Sequence, residues 1–444
     1  MEENKPMTPA PDAAQAGDAP APKTPAGALF YAAGKRARLY ALSFLKWAGV
    51  SLAVGVLGGG VGTVFLYGIR FAGDSLAAYP WLLYLLPLGG LVIVGGYRLC
   101  RLPDGIGTND VLIAVRTGGR VPPLLAPMIL LGTVITHLLG GSAGREGAAL
   151  QLGGSIGSFL GRACRLDEKD RQLCVLCGMS AVFGALFGTP LTAAFFAMEV
   201  VSVGVMYYAA FVPCLASALT AAAIAKWAGF APVAFTLAGA PAFTLLSVLQ
   251  TAGLAGMTAL VSILFCVLLH QTAHLYQRFL PNPYLRAFVG GAIVIGLALL
   301  CGTRDYNGVG TAVIVRALAG SAVPAAFLLK ALFTALTLGA GYKGGEIVPS
   351  FFVGAAFGCV AAPLCGLSPA FGAAVGLIGL FCGVTNAPVA SLFLALEAFG
   401  GGAMPLFGVT VAFAFLFSGN FGIYSGQRIL YSKLRAEFVD RRAH

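Results

Sequence analysis

Charge is what this chain has least of. Only 10% of its 444 residues are Asp, Glu, Lys or Arg, while 58% are hydrophobic. A soluble domain carries about 25% charged residues, so this composition excludes one. Charge-free runs recur, and the longest are Trp227–Gln277, Ile347–Leu396 and Ala398–Gln427. A membrane crossing takes about 20 residues of helix, so each run holds more than one segment, with turns inside the protein. Histidine is also scarce, at four residues, and the ten cysteines are scattered. The pair Cys174-x-x-Cys177 has no second pair or histidine nearby. These residues therefore read as small apolar packers rather than as a redox or metal centre. His270 and His274 share a helix face but lack a third ligand, and His137 reads as a packing or hydrogen-bonding residue. No metal and no cofactor is expected. An intramembrane enzyme would need a nucleophile or metal cluster, and neither is evident.

The net charge of +11 does not point to nucleic acid. Basic residues gather at the two ends: Lys35, Arg36, Arg38 and Lys46, then Arg428, Lys433, Arg435, Arg441 and Arg442. Positive charge beside membrane segments favours the cytoplasmic side. Both termini are expected there, with an even number of crossings. Arg162–Arg171 reads as a further cytoplasmic loop. Residues 1–27 are poor in large apolar side chains and read as a disordered tail without a signal peptide. Helices are expected to begin near Phe30. Residues 28–435 read as one transmembrane domain, and 436–444 as a short cytoplasmic tail.

Against this background Arg145-Glu146 is conspicuous. No charged residue occurs between Val121 and Gly144, and none follows until Arg162. A carboxylate inside a long apolar stretch is costly and by default marks an ion or proton path. The flanking text, Gly-Gly-Ser-Ala-Gly-Arg-Glu-Gly, lets backbone N–H groups approach a ligand. It lacks the Gly-Lys-Ser/Thr ending of a phosphate loop.

The two halves of the chain repeat. Glu146 and Ile347 are each followed by glycines seven and eleven residues on, Gly153 and Gly157 in one case, Gly354 and Gly358 in the other. Pro190–Glu199 matches Pro388–Glu397. Duplicated transporters place their substrate between broken helices whose N-termini face an anion. Four glycine-rich segments are expected to precede apolar helices: Asp104–Asn109, Gly141–Gly147, Gly344–Pro349 and Gly419–Ser425. Helix N-termini carry free N–H groups and attract anions. Glu397 reads as a helix-end residue in contact with water, and the role of Glu199 stays open. Glu346 lies beside Ile347, so its carboxyl and that of Glu146 are expected to approach one central point.

Gly144-Arg-Glu-Gly147, Gly344-Gly-Glu-Ile-Val-Pro349, Pro190…Glu199 and Ile423-Tyr424-Ser425 occur in the order and spacing of the CLC family of anion channels and proton-coupled anion exchangers. The resemblance covers about residues 40–435. It implies an all-α polytopic membrane protein, with two inverted-topology halves and many tilted and partial helices. It also implies a homodimer with a separate pore in each subunit, placed in the cell membrane. By this resemblance Glu146 is the gating glutamate that competes with the anion and carries the proton. Tyr424 holds the central anion, and Ile347 replaces a phenylalanine whose N–H faces it. Gly105, Ile106 and Gly107 take the place of the family's first anion-binding element, with Ile106 where its serine stands and the proline missing. Glu346, placed beside Ile347 where most chloride members have an apolar residue, reads as part of the anion site or as a cap of the helix N-terminus, and Arg145, Gly147 and Glu199 as possible accessory residues. The position of a second, cytoplasmic proton glutamate holds Val200. Thr136–Gly147 and Lys343-Gly-Gly-Glu-Ile are similar to the bacterial fluoride-exporting branch, although the Asn-rich first element of that branch is absent. A halide/proton antiporter favouring fluoride is expected. A chloride/proton antiporter and a passive chloride channel are the alternatives.

Overall fold

The computed structural model describes residues 25–103, 105–435 and 437–443. These divide into two units, one ending at Gly49 and one running from Val50. In the first, residues 25–49 are the opening stretch of helix α1 (Pro25–Ala78), and from residue 33 their side chains are mostly exposed. The helix thus begins ahead of Phe30. Pro25–Gly27, expected in a disordered tail, are its first turn, where proline's missing N–H is no loss. Residues 1–24 of that tail lie outside the described residues.

In the second unit the helices fall into two matched series. After α1 come α2 (Leu86–Leu99), α3 (Thr108–Thr117), α4 (Leu125–Leu138), α5 (Glu146–Ala163), α6 (Glu168–Phe187), α7 (Pro190–Glu199) and α8 (Phe211–Trp227). The second series is α9 (Leu245–Phe279), α10 (Pro283–Cys301), α11 (Thr311–Leu318), α12 (Ala326–Gly339), α13 (Ile347–Ala361), α14 (Pro369–Thr385), α15 (Pro388–Phe399) and α16 (Met404–Phe417). Seven helical stretches among the described residues are long and apolar enough to cross a membrane. Helices α4, α12, α14, α15 and α16 are apolar but shorter. The fold is thus the expected membrane-embedded helical one, with partial helices.

The repeated glycines explain why the halves pack alike. A Cβ on Gly153 or Gly157 would strike the backbone of Gly178 or Cys174 on α6. In the second half, Gly354 and Gly358 lie equally close to Gly376 and Gly372 on α14. In lipid, helices associate through such close backbone approach rather than through a hydrophobic gradient. Where the halves meet, Phe183, Phe187, Phe196, Phe351 and Phe381 pack ring against ring at centroid distances of 4.6–5.9 Å.

Glu397, read as a helix end in contact with water, is only half-buried but turns its carboxylate inward, and Glu199, whose role the sequence left open, is buried and does the same. Each caps the repeat partner of its own helix. Glu199 accepts hydrogen bonds from the Val389 and Ala390 N–H groups at the start of α15, at 3.1 and 2.9 Å. Glu397 accepts from Leu191 and Thr192 N–H at the start of α7, at 3.0 and 2.9 Å, and from the Thr192 hydroxyl at 2.6 Å. A proline opens both helices, so the N–H groups just behind it are the first that need a partner. Glu397→Ala and Glu199→Ala should each destabilise the protein by about 2 kcal/mol, the cost of stranding N–H groups that met a charged acceptor. A thermal-unfolding midpoint equal to wild type in detergent would refute this role.

The chain's end is also more structured than the sequence suggested. Residues 438–442, expected in a plain tail, form strand β3 (Phe438–Arg442), which pairs antiparallel with β2 (Arg428–Tyr431). That strand in turn pairs parallel with β1 (Ser202–Val203). Val203, Ile429 and Ala443 form a small core beneath this sheet. The Gly419–Ser425 segment therefore leads into a strand and not into the helix expected after it.

Candidate functional site

Two helices of the site start back to back. Gly144 N–H donates to Gly345 O at 2.7 Å, and Gly345 N–H donates to Gly144 O at 2.8 Å, an isolated antiparallel bridge. One residue beyond each partner's neighbour, α5 starts at Glu146 and α13 at Ile347. The bridge is possible because both positions are glycine: a Cβ on Gly345 would meet the backbone nitrogens of Gly147 and Glu146 at 2.5 and 2.8 Å.

Glu146 is completely buried. Its Oε2 accepts from Arg145 N–H at 2.9 Å and, across the bridge, from Val348 N–H at 3.2 Å. The carboxylate of one half thus occupies the N-terminus of the other half's helix, where an anion is favoured. Its Oε1 accepts no hydrogen bond and lies 3.5 Å from Arg145 Nε. Arg145 also donates from Nη2 to Leu186 O at 3.3 Å. The Ile347 N–H, first in α13, has no hydrogen-bond acceptor among the described residues.

Two further polar atoms near Glu146 are buried without a partner: Glu346 Oε2 and the Tyr424 hydroxyl. Both carboxylates lie within electrostatic reach of Tyr424 and of each other. Glu346 Oε2 sits against Gly147, where a Cβ would come within 2.9 Å. The structure therefore brings Glu146, Gly147, Glu346, Ile347 and Tyr424 together. Two buried oxygen atoms without a partner, near a carboxylate whose second oxygen has only an ion pair, are a costly arrangement, and native proteins keep such groups where a ligand or proton satisfies them.

The first glycine-rich element fits less simply. Asp104 lies outside the described residues. Gly105 is exposed, Ile106 is buried, and the Gly107 N–H is taken by the Asp110 carboxylate at 2.8 Å. The hydroxyl missing at Ile106 is not restored by Thr108, which donates to Gly147 O at 3.2 Å and accepts from Gln151 at 3.1 Å. Asn109 accepts from Gly426 N–H at 2.9 Å, which ties this element to the Tyr424 loop. Glu199, considered as an accessory residue, spends its carboxylate on α15.

Several supporting residues escaped sequence reasoning. Gln427 holds the Tyr424 loop by donating to Val200 O and Thr385 O at 3.0 and 2.9 Å. Lys433, past α16, donates to Asn386, Ser418 and Phe415 O. Burial pushes its ammonium down to about 8. Lys330 is fully buried and donates to Ser142 Oγ, Tyr306 O and Gly308 O at 3.0, 3.1 and 2.7 Å, fastening the turn that precedes Gly144. A lysine in an apolar helix was the available signal. His137, read from the sequence as a packing or hydrogen-bonding residue, lies between Thr133 O and Ala143 O at 2.8 and 3.1 Å in the same turn. No cluster of three or more metal-ligating side chains occurs among the described residues.

A family model described as voltage gated chloride channel matches residues 89–419. The chain is a CLC protein. A chloride/fluoride channel protein of Pseudomonas syringae pv. tomato is 33% identical over 395 residues, covering 87% of each chain. The crystal structure of a CLC-type fluoride/proton antiporter superposes with a TM-score of 0.83 at 32% identity, covering 87% of this chain and 98% of that one. A slow cyanobacterial chloride/proton antiporter gives 0.71 at 20% identity, over 84% and 93% of the two chains, and shares the fold. Among CLC proteins this chain therefore has similar relatives whose descriptions include fluoride.

Proposed function

We propose that this CLC protein is a halide/proton antiporter that exports fluoride in preference to chloride. One observation carries the reading: the Glu146 carboxylate is seated on the Val348 N–H at the head of α13. When ionised, Glu146 holds the place of an anion. When protonated, it loses most of its attraction to the helix end and leaves, and a halide takes over the same N–H groups. Anion and proton then alternate at one point. The Tyr424 hydroxyl donates to the halide from the far side, and the free Ile347 N–H adds a second backbone donor. Glu346 contributes a carboxyl that donates to the anion when protonated. The protein works in the cell membrane as a homodimer with both termini in the cytoplasm, a placement supported by the basic residues at its two ends.

Fluoride is small and strongly hydrated, and a site that takes it must replace that hydration with close donors. The apolar Ile106 removes a hydroxyl from the first element, while Glu346 places a carboxyl beside Gly147. Support also comes from the two relatives above 30% identity, both described with fluoride. Purified protein in liposomes should release fluoride faster than chloride, driven by inward proton movement, with both halides read by ion-selective electrodes. In Glu346→Ala the preference should shrink by about ten- to a hundred-fold, the worth of one hydrogen bond to a charged partner. Equal chloride and fluoride efflux from wild type, each coupled to protons, would replace this reading with a chloride/proton antiporter. Halide flux without proton movement would make it a passive channel.

A further inference from the structure

A second charged place lies at the far end of α5. The helix runs 18 residues from Glu146 to Ala163, so its ends are about 27 Å apart at 1.5 Å per residue. Around its last turn a cavity is lined by Arg120, Arg162 and Arg171, with Ser158, Gln172 and Glu168. Three separate parts of the chain supply the arginines: Arg120 follows α3, Arg162 ends α5 and Arg171 opens α6. Arg162 and Arg171 are half-buried and Arg120 is exposed. None of the three is ion-paired or hydrogen-bonded through its side chain among the described residues. The one acid of the lining, Glu168, lies against Gly118. Three guanidinium groups and one carboxylate leave the pocket positive.

Compensation of a helix dipole accounts for Arg162, at the C-terminus of α5. It does not account for two more arginines converging on the same cavity from other segments. A neighbouring side chain indicates what the guanidinium groups face. Phe159, three residues before Arg162 on α5 and so its neighbour on the helix surface, is 53% exposed. In a membrane protein such an exposed apolar side chain meets lipid. The enclosed space is about 20 Å³, room for one water, so a ligand rests at the mouth against the arginines. Guanidinium groups pair bidentately with phosphate oxygens, and basic pockets between membrane helices take anionic head groups.

We infer that the Arg120, Arg162 and Arg171 pocket binds the phosphate of an anionic phospholipid whose acyl chains lie along Phe159. The site is separate from the Glu146 region and independent of which halide the protein carries. A free phosphate would gain nothing from the apolar flank, and that separates the two sources.

The test uses the full-length protein in neutral detergent, with bound lipid counted by native mass spectrometry during titration. Phosphatidylglycerol should be retained in preference to phosphatidylcholine, and inorganic phosphate at the same concentration should not displace it. The double variant Arg162→Gln/Arg171→Gln should bind phosphatidylglycerol about thirty-fold more weakly. Should that variant fail to fold, Arg120→Gln at the exposed arginine should weaken binding about fivefold. Equal retention of the two lipids, displacement by inorganic phosphate, or unchanged binding in a folded variant would each overturn the assignment.

Discussion

Liposomes carrying Glu146→Gln will pass halide without taking up protons. The substitution keeps the shape of the side chain and removes its charge and its titration. In wild type the carboxylate oxygen accepts from Arg145 N–H and Val348 N–H. A glutamine oxygen can accept from the same donors but competes far less with an anion, because it brings no negative charge to the helix end. It also has no proton to give up. Proton uptake driven by a halide gradient should therefore fall to the leak of empty liposomes while halide flux persists. A pH electrode and a halide electrode on one preparation read both. Wild-type proton uptake in the variant would remove Glu146 from the proton path and leave the fold assignment untouched.

The second large effect is structural. Gly354→Ala adds a single methyl group, yet that group points at the carbonyl of Gly376 on the facing helix, and Gly153 stands in the same relation to Gly178. A flexible side chain could move aside, but a backbone carbonyl inside a helix cannot. The two helices must separate, at about 1–3 kcal/mol for the alanine, with more for anything larger. Because α5 and α13 each present a site residue at their first turn, the separation also shifts the N–H groups that hold Glu146. Gly354→Ala should lower the unfolding midpoint, and Gly354→Leu should prevent recovery of a monodisperse protein. Gly60→Ala is the control. A Cβ there meets nothing within 4 Å, and alanine in a helix should be neutral or stabilising by about 0.4–1 kcal/mol. Equal midpoints for Gly354→Ala and Gly60→Ala would refute the packing argument.

These two positions show what kind of information reached the sequence. A lone carboxylate in an apolar run is legible because its desolvation cost is a property of its neighbours along the chain, and that singled out Glu146. The glycines at seven and eleven residues beyond Glu146 and Ile347 are legible because they fall on one helix face, though not which helix they touch. Composition alone established a membrane protein, since helices in lipid must satisfy their own backbone and need long uncharged runs to do so.

What stayed hidden was every pairing across the chain. Val348 N–H meets Glu146 from more than two hundred residues away, and no local rule selects it. Glu199 and Glu397 end their helices as polar residues at a membrane surface would, and only the crossing of α7 and α15 turns each toward the other's open N-terminus. Residues 438–442 have the charge of a solvated tail and form a strand because β2 offers an unpaired edge. The sequence by itself determined the class, the duplication and which glutamate would stand buried in the apolar stretch, because each follows from the cost of burying charge or from helix periodicity. Only the tertiary structure decided which N–H groups face that glutamate and which oxygens stand unpaired beside it. Hydrogen-bond partners depend on direction and distance to within a few tenths of an ångström, and those are set by how the two halves pack.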